Sequence, residues 1–174
     1  WVGKAQRFMD GRADIGIVYG VQTERHPGRS IYNRLLDIEW DTPIGPALAC
    51  GGDVLMRTEA LVAVGGYRDD LIAGEEPELC VRLRAAGWQI HRIDAEMTLH
   101  DAAMIRFGQW WKRTMRAGYA FAEGAHLHGR THGHWVREAR SAALWGVALP
   151  VLIVAASLFG TPWAALFALL YPVQ

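Results

Sequence analysis

Two neighbouring glutamates, Glu75 and Glu76, stand immediately before Pro77 in the stretch LIAGEEPELCVRLRAAGWQI. Pro77 suits the first residue of a helix, and Gly87 its C-terminal stop. Proline disfavours the helical conformation for the residue before it, so Glu76 is expected on extended backbone at the mouth of that helix. A carboxylate there faces the positive end of the helix dipole, which favours the ionised form by about 0.3–1 kcal/mol. Ionised is what a general base must be. Neighbouring side chains on extended backbone point in opposite directions, so one of the two faces any adjoining cleft. Glu76 is the candidate base and Glu75 its reserve. The competing reading is a pair of solvated capping residues.

Other residues offer binding rather than proton transfer. In Cys50-Gly51-Gly52-Asp53 the glycines let the backbone approach a ligand closely. Asp53 can accept hydrogen bonds from hydroxyl groups, and its competing role is to cap a tight turn. Trp110 and Trp111, in the run QWWKR, suit stacking on a sugar or a place at a bilayer interface beside Lys112, Arg113 and Arg116. His126, His128, His132 and His134 look like a metal tract, but no cysteine or carboxylate lies among them, so a solvated, glycine-containing linker is the alternative. Cys50 and Cys80 lack metal-ligand spacing. They are read as two buried thiols, with a disulfide as the other option.

The elements that must position these residues alternate. ADIGIVYGV (13–21) reads as a strand, and Ser30 caps a helix over IYNRLLDIEW whose Ile31, Leu35 and Ile38 share one face. A loop rich in Gly and Pro leads to a short strand, Val54 to Arg57. Thr58 is then expected to cap a helix that stops at Gly65 or Gly66. The helix after Glu76 buries Leu79, Leu83 and Ala86, while Glu78 and Arg82 are expected to pair on its exposed side for about 0.3 kcal/mol. WQIHRI is a strand, Asp101 a helix cap, and 102–124 a basic, aromatic helix. Strand and helix in this order indicate an α/β domain.

Charge divides the chain. Residues 1–105 carry 11 basic and 16 acidic side chains, a net of −5, whereas residues 106–174 carry 7 and 2, a net of +5. From Ser141 onward no residue is charged, and SAALWGVALPVLIVAASLFG is long enough for one membrane crossing, which needs about 20 apolar residues. Pro150 is tolerable there as a kink. Gly160, Thr161 and Pro162 punctuate the run before WAALFALLY begins a second apolar segment. The N-terminus has no basic region followed by an apolar run, hence no signal peptide, and the chain reads as a piece of a longer protein.

Taken together, GGD, RTEALVAVGGY and GEEPELCVRLRAAGWQI resemble the C-terminal half of family 2 glycosyltransferases with the GT-A fold. Gly65, Gly66 and Tyr67 match that family's Gly-Gly-aromatic signature. Glu75 and Glu76 stand at its Glu-Asp pair, and Glu78, Leu79, Arg82, Leu83 and Gly87 fit the helix that follows. The resemblance covers roughly residues 1–125. It implies residues 1–125 as the acceptor side of a GT-A catalytic domain, 126–140 as a basic, His-rich juxtamembrane linker, and 141–174 as a membrane region. It also implies Glu76 as catalytic base, one methylene longer than the family's usual Asp. Gly51, Gly52 and Asp53 become a wall of the sugar site. His100 becomes a further ligand to a divalent cation, Mn or Mg, held mainly by an Asp-x-Asp motif that does not occur here. Gln109 to Arg113 resemble the Gln-x-x-Arg-Trp signature of processive synthases, with the tryptophans displaced to the wrong side of the basic pair; Gln109, Trp110 and Trp111 are thereby substrate-binding candidates.

The function implied is transfer of a sugar, with inversion, from a nucleotide-diphosphate donor to a hydroxyl of a glycan or lipid-linked acceptor. The reaction is placed at the cytoplasmic membrane, with the catalytic part facing the cytoplasm and no nucleic-acid partner. Without the donor-binding half, these residues are expected to be inactive by themselves. Two alternatives stay open: a processive polysaccharide synthase of the same fold, and a non-catalytic membrane-tethered module that binds a metal or a partner through its histidine loop.

Overall fold

The apolar, β-branched run Ile15–Glu24 forms a strand, β1, whose first four residues are buried from both sides. The computed structural model describes residues 1–173, with side chains through Leu169, and divides the chain into two compact units, residues 1–120 and 121 onward.

In the first unit a helix not anticipated from the sequence, α1 (Val2–Met9), precedes β1. There follow α2 (Ile31–Trp40), β2 (Gly45–Pro46), β3 (Leu55–Met56), α3 (Thr58–Ala63), α4 (Glu75–Ala85), β4 (Gln89–His100) and the start of α5 (Phe107–His132). The sheet has the order β2-β4-β1-β3, with β1 and β4 parallel and both outer strands antiparallel. Strand alternation gives the sheet two apolar faces. Ile17 and Ile90 pack with Leu79, Cys80 and Leu83 of α4, whereas Val18 and Ile93 pack with Ala5 and Met9 of α1. This is the expected α/β organisation, as a mixed sheet.

At Gly20 the register between β1 and β4 shifts. A Cβ on Gly20 would lie 2.4 Å from the Ala95 carbonyl oxygen and 2.7 Å from Cβ of Met97. Only glycine lets the two strands approach this closely.

Helix α2 keeps its expected bounds, and Ser30 Oγ accepts the Asn33 N–H at 3.0 Å. The face that Ile31, Leu35 and Ile38 share is exposed, while Asn33 and Leu36 are buried. A polar anchor sets this rotation. Asn33 donates from Nδ2 to buried Glu24 and accepts the Met104 N–H at Oδ1, each at 3.0 Å. Arg57, not Thr58, holds the N-cap position of α3, and its guanidinium donates to the carbonyls of Ile15 and Met9, both at 2.8 Å. The expected stop is present, with Gly65 and Gly66 at φ 78° and 76°.

Helix α4 starts two residues before the expected Pro77, so Glu75 and Glu76 are helical rather than extended. Gly74, at φ 87°, provides the entry. Pro77 falls in the first turn, where no intrahelical N–H is needed and its ring meets no preceding helical carbonyl. Leu79 and Leu83 are buried as expected, but Ala86 is exposed. Glu78 is also buried instead of exposed, at 1%. Arg82 donates to it from Nε at 2.9 Å and from Nη2 at 2.8 Å, and donates from Nη1 to the Val64 carbonyl.

Helix α5 begins five residues later than expected and continues through His126, His128 and His132. The late start has a local cause. Glu24 Oε2 accepts the Ala102 N–H at 2.9 Å, Asp101 turns back to Ala103 N–H at 3.0 Å rather than capping a helix, and Gln109 Oε1 accepts the N–H groups of Ile105 and Arg106.

In the second unit α5 ends at Gly133, φ 65°, and α6 (Val136–Ala143) returns. The expected loop over the histidines is therefore helix through His132, with His134 in the turn between α5 and α6. Its glycines are packing notches: a Cβ on Gly124 would sit 2.5 Å from the Trp135 ring, and one on Gly129 would sit 2.9 Å from Val136 Cγ2. A π-wound turn (Leu144–Ala148) joins α6 to α7 (Leu149–Phe159). Pro150 has no N–H for the carbonyl four residues back, which accounts for the widened turn before it. The resulting continuous helix, Val136–Phe159, has 24 residues, and an 18-residue stretch of it has a mean hydropathy of 2.2 and is not buried, so it is long and apolar enough to cross a membrane. Its length, about 36 Å at 1.5 Å per residue, exceeds the roughly 30 Å hydrocarbon layer. The helix stops at Gly160, and Pro162–Val173 winds as a 3-10 helix against α7.

Candidate functional site

The loop from Ala49 to Asp53 lies between the first turn of α4 and the ends of β1 and β4, and the chemically distinctive side chains gather on it. Cys50 reaches Cys80 with the two sulfurs 3.4 Å apart, both thiols free and buried. The contact with Cys80 and burial push the Cys50 thiol well above its ordinary range, and the nearby charge of Glu76 adds to this.

Glu76 is half-buried, and its Oε1 lies 3.4 Å from where a Cβ on Gly52 would stand. The absence of a side chain at 52 keeps that carboxylate clear. Neither Glu75 nor Glu76 has an ion-pair partner among the described residues. The phenol of Tyr67 is raised above its usual range, chiefly by burial and next by the Glu76 charge. Glu76 therefore sits among Gly52, Tyr67, Cys50 and Cys80, at the positive end of an 11-residue helix.

Beside this spot a cleft of about 310 Å³ opens, lined by Tyr19, Thr42, Cys50, Gly51, Asp53 and Arg92 among others. Asp53 accepts the Thr98 hydroxyl at 2.8 Å. Gly51 and Asp53 thus line the cleft as a binding wall would. Gly52, Glu75 and Glu76 do not line it; Gly52 belongs to the same loop, with the Glu76 carboxylate beside it.

The other candidates lie apart or are engaged. His100 is exposed at the end of β4, its ring edge-on to Trp40 at 4.8 Å. Among the described residues no three His, Cys, Asp or Glu side chains are placed to hold a metal ion. The Gln109 amide is committed to Ile105, Arg106 and the Ala103 carbonyl. Trp110 stacks on Tyr32 at 6.1 Å, and Trp111, 50% exposed, lies against Phe107. In the second unit the His128 ring lies 6.0 Å from His132 and 6.4 Å from His134.

Sequence reasoning missed Tyr19, Thr42 and Arg92. Arg92 carried a signal. Alternation in WQIHRI puts it in phase with inward-facing Ile90, an unusual place for a cation.

Compared with protein-family models, curated proteins and solved structures, the chain matches none.

Proposed function

We propose that this chain is the acceptor-side part of a membrane-anchored, inverting glycosyltransferase of the GT-A type, with Glu76 as its general base. The observation that carries the proposal is a carboxylate at the N-terminus of α4, free of any ion pair among the described residues and set against the side-chain-free Gly52. In the step proposed, an acceptor hydroxyl oxygen attacks the anomeric carbon of a nucleotide-linked sugar. Its proton passes to a Glu76 oxygen. The bond from the anomeric carbon to the diphosphate oxygen breaks, and the diphosphate leaves with the electron pair. Asp53 and Gly51, beside this point, would hold acceptor hydroxyls.

The helix Val136–Phe159 supports attachment to a membrane. Arg137 and Arg140 in its first turns, with Arg130 preceding them in α5, favour a cytoplasmic position for the catalytic unit, where activated sugars are made.

The test is turnover of nucleotide sugars by the longest natural reading frame that contains this chain. Glu76→Gln should lower kcat by about 100-fold or more at nearly unchanged donor KM, the usual loss on removing a general base. Glu75→Gln should cost only a few-fold. Unchanged turnover in Glu76→Gln rejects the assignment.

A further inference from the structure

We infer that the cleft beside the Cys50–Asp53 loop binds a phosphate group, with Arg92 as its anchoring cation. Arg92 is only 2% exposed, yet it lines the cleft. It lies on β4 opposite Tyr19 of β1. No carboxylate lies within ion-pair distance of it among the described residues. Its side-chain hydrogen bond goes from Nη1 to the Thr42 hydroxyl at 2.9 Å.

Burying a cation without an anion is unfavourable, and such an arrangement persists where a ligand completes it. The two carboxylates on the cleft wall are not within ion-pair distance of it: Glu39 pairs with Arg113, and Asp53 accepts from Thr98. A guanidinium has five N–H donors in a fixed fork, so one bond to Thr42 leaves most of the fork for a ligand. Tyr19 and Thr42 add hydroxyls on the same cleft wall. The donors come from two strands and a loop, so they do not share a plane, and this suits a tetrahedral phosphate better than a flat carboxylate. The cleft, about 310 Å³, has room for a phosphate and part of an attached polyol, with Asp53 and Gln22 on its wall. Taken with the transferase reading, on which this extension rests, the acceptor is a phosphate-bearing molecule. The anion site itself is independent of that reading.

The experiment is calorimetric titration of the detergent-solubilised protein with inorganic pyrophosphate and with glycerol 3-phosphate. A second arm measures binding to neutral vesicles with and without phosphatidate. Saturable binding that weakens about tenfold or more in Arg92→Gln, and is partly restored in Arg92→Lys, is expected from the loss of charge-assisted hydrogen bonds. Folding of each variant is checked by circular dichroism. Should Arg92→Gln not fold, the double variant Tyr19→Phe with Thr42→Val carries the test and should weaken binding several-fold. Arg92-dependent binding of free glycerol 3-phosphate indicates a soluble source, and Arg92-dependent binding only to phosphatidate vesicles a lipid one. Absence of saturable binding in both arms, or equal affinity in wild type and the folded variants, overturns the inference. Anion binding that survives while Glu76→Gln keeps full turnover removes the transferase reading and leaves this site standing.

Discussion

Glu76 and Glu78 lie two residues apart on α4 under opposite constraints. Glu78 is 1% exposed and held by two nitrogens of Arg82, which also donates to the Val64 carbonyl. Glu76 is half-buried, pairs with no cation among the described residues, and faces a backbone without a side chain. One carboxylate is neutralised and locked, so it ties α4 to the end of α3. The other has no cation beside it and keeps its room, which reactions with an incoming group require. Residue type is identical; the difference lies in which side of the helix meets the core.

Four changes would break or sharpen this contrast. Arg82→Ala leaves the Glu78 carboxylate buried without its cation and should destabilise the first unit by about 3–5 kcal/mol, read from denaturant midpoints. Replacing both by apolar residues of similar volume should cost much less, which separates the loss of a partner from the loss of packing. Glu76→Gln, which keeps the side chain's shape and breaks no ion pair, should leave stability within about 0.5 kcal/mol while turnover collapses. A loss of several kcal/mol there would make Glu76 structural. Gly52→Ala places a methyl in contact with the Glu76 carboxylate and should reduce kcat a few-fold with little change in unfolding temperature. The smallest effect is spectroscopic. Because Glu76 contributes to the raised phenol of Tyr67, Glu76→Gln should bring the ionisation of that tyrosine to lower pH, followed by ultraviolet absorbance. An unmoved titration would show that the two groups do not sense each other.

Local rules read well where one interaction decides. Ser30 begins α2, Gly65 and Gly66 end α3, and Ile17 and Ile90 alternate into the core, because cap, left-handed turn and strand period are each set within a few residues. Reading failed where distant groups outvoted the local preference. The rule for the residue before proline placed Glu76 outside α4, but Gly74 supplies the turn and Pro77 costs nothing at that depth. Spacing of Glu78 and Arg82 correctly gave a pair but not its burial, since neither residue reveals that Val64 waits on the inner side. The apolar stripe of α2 faces outward because Asn33 is tied to Glu24 and Met104. Gly129 looked like a loop residue and is instead, like Gly124 in the expected helix, a place where Trp135 or Val136 comes close. Of the site, Gly51 and Asp53 were legible and do line the cleft. Arg92 was visible only as a charge at an inward-facing strand position.

Gly20 also lines that cleft, and the oxygen of Ala95 and Cβ of Met97 fill the space that its missing side chain leaves. A single methyl there would act as a shim between the two central strands, tilting Tyr19 and Met97 on either side. The aperture through which a ligand reaches Arg92 is thus gauged by a residue that offers no chemistry of its own.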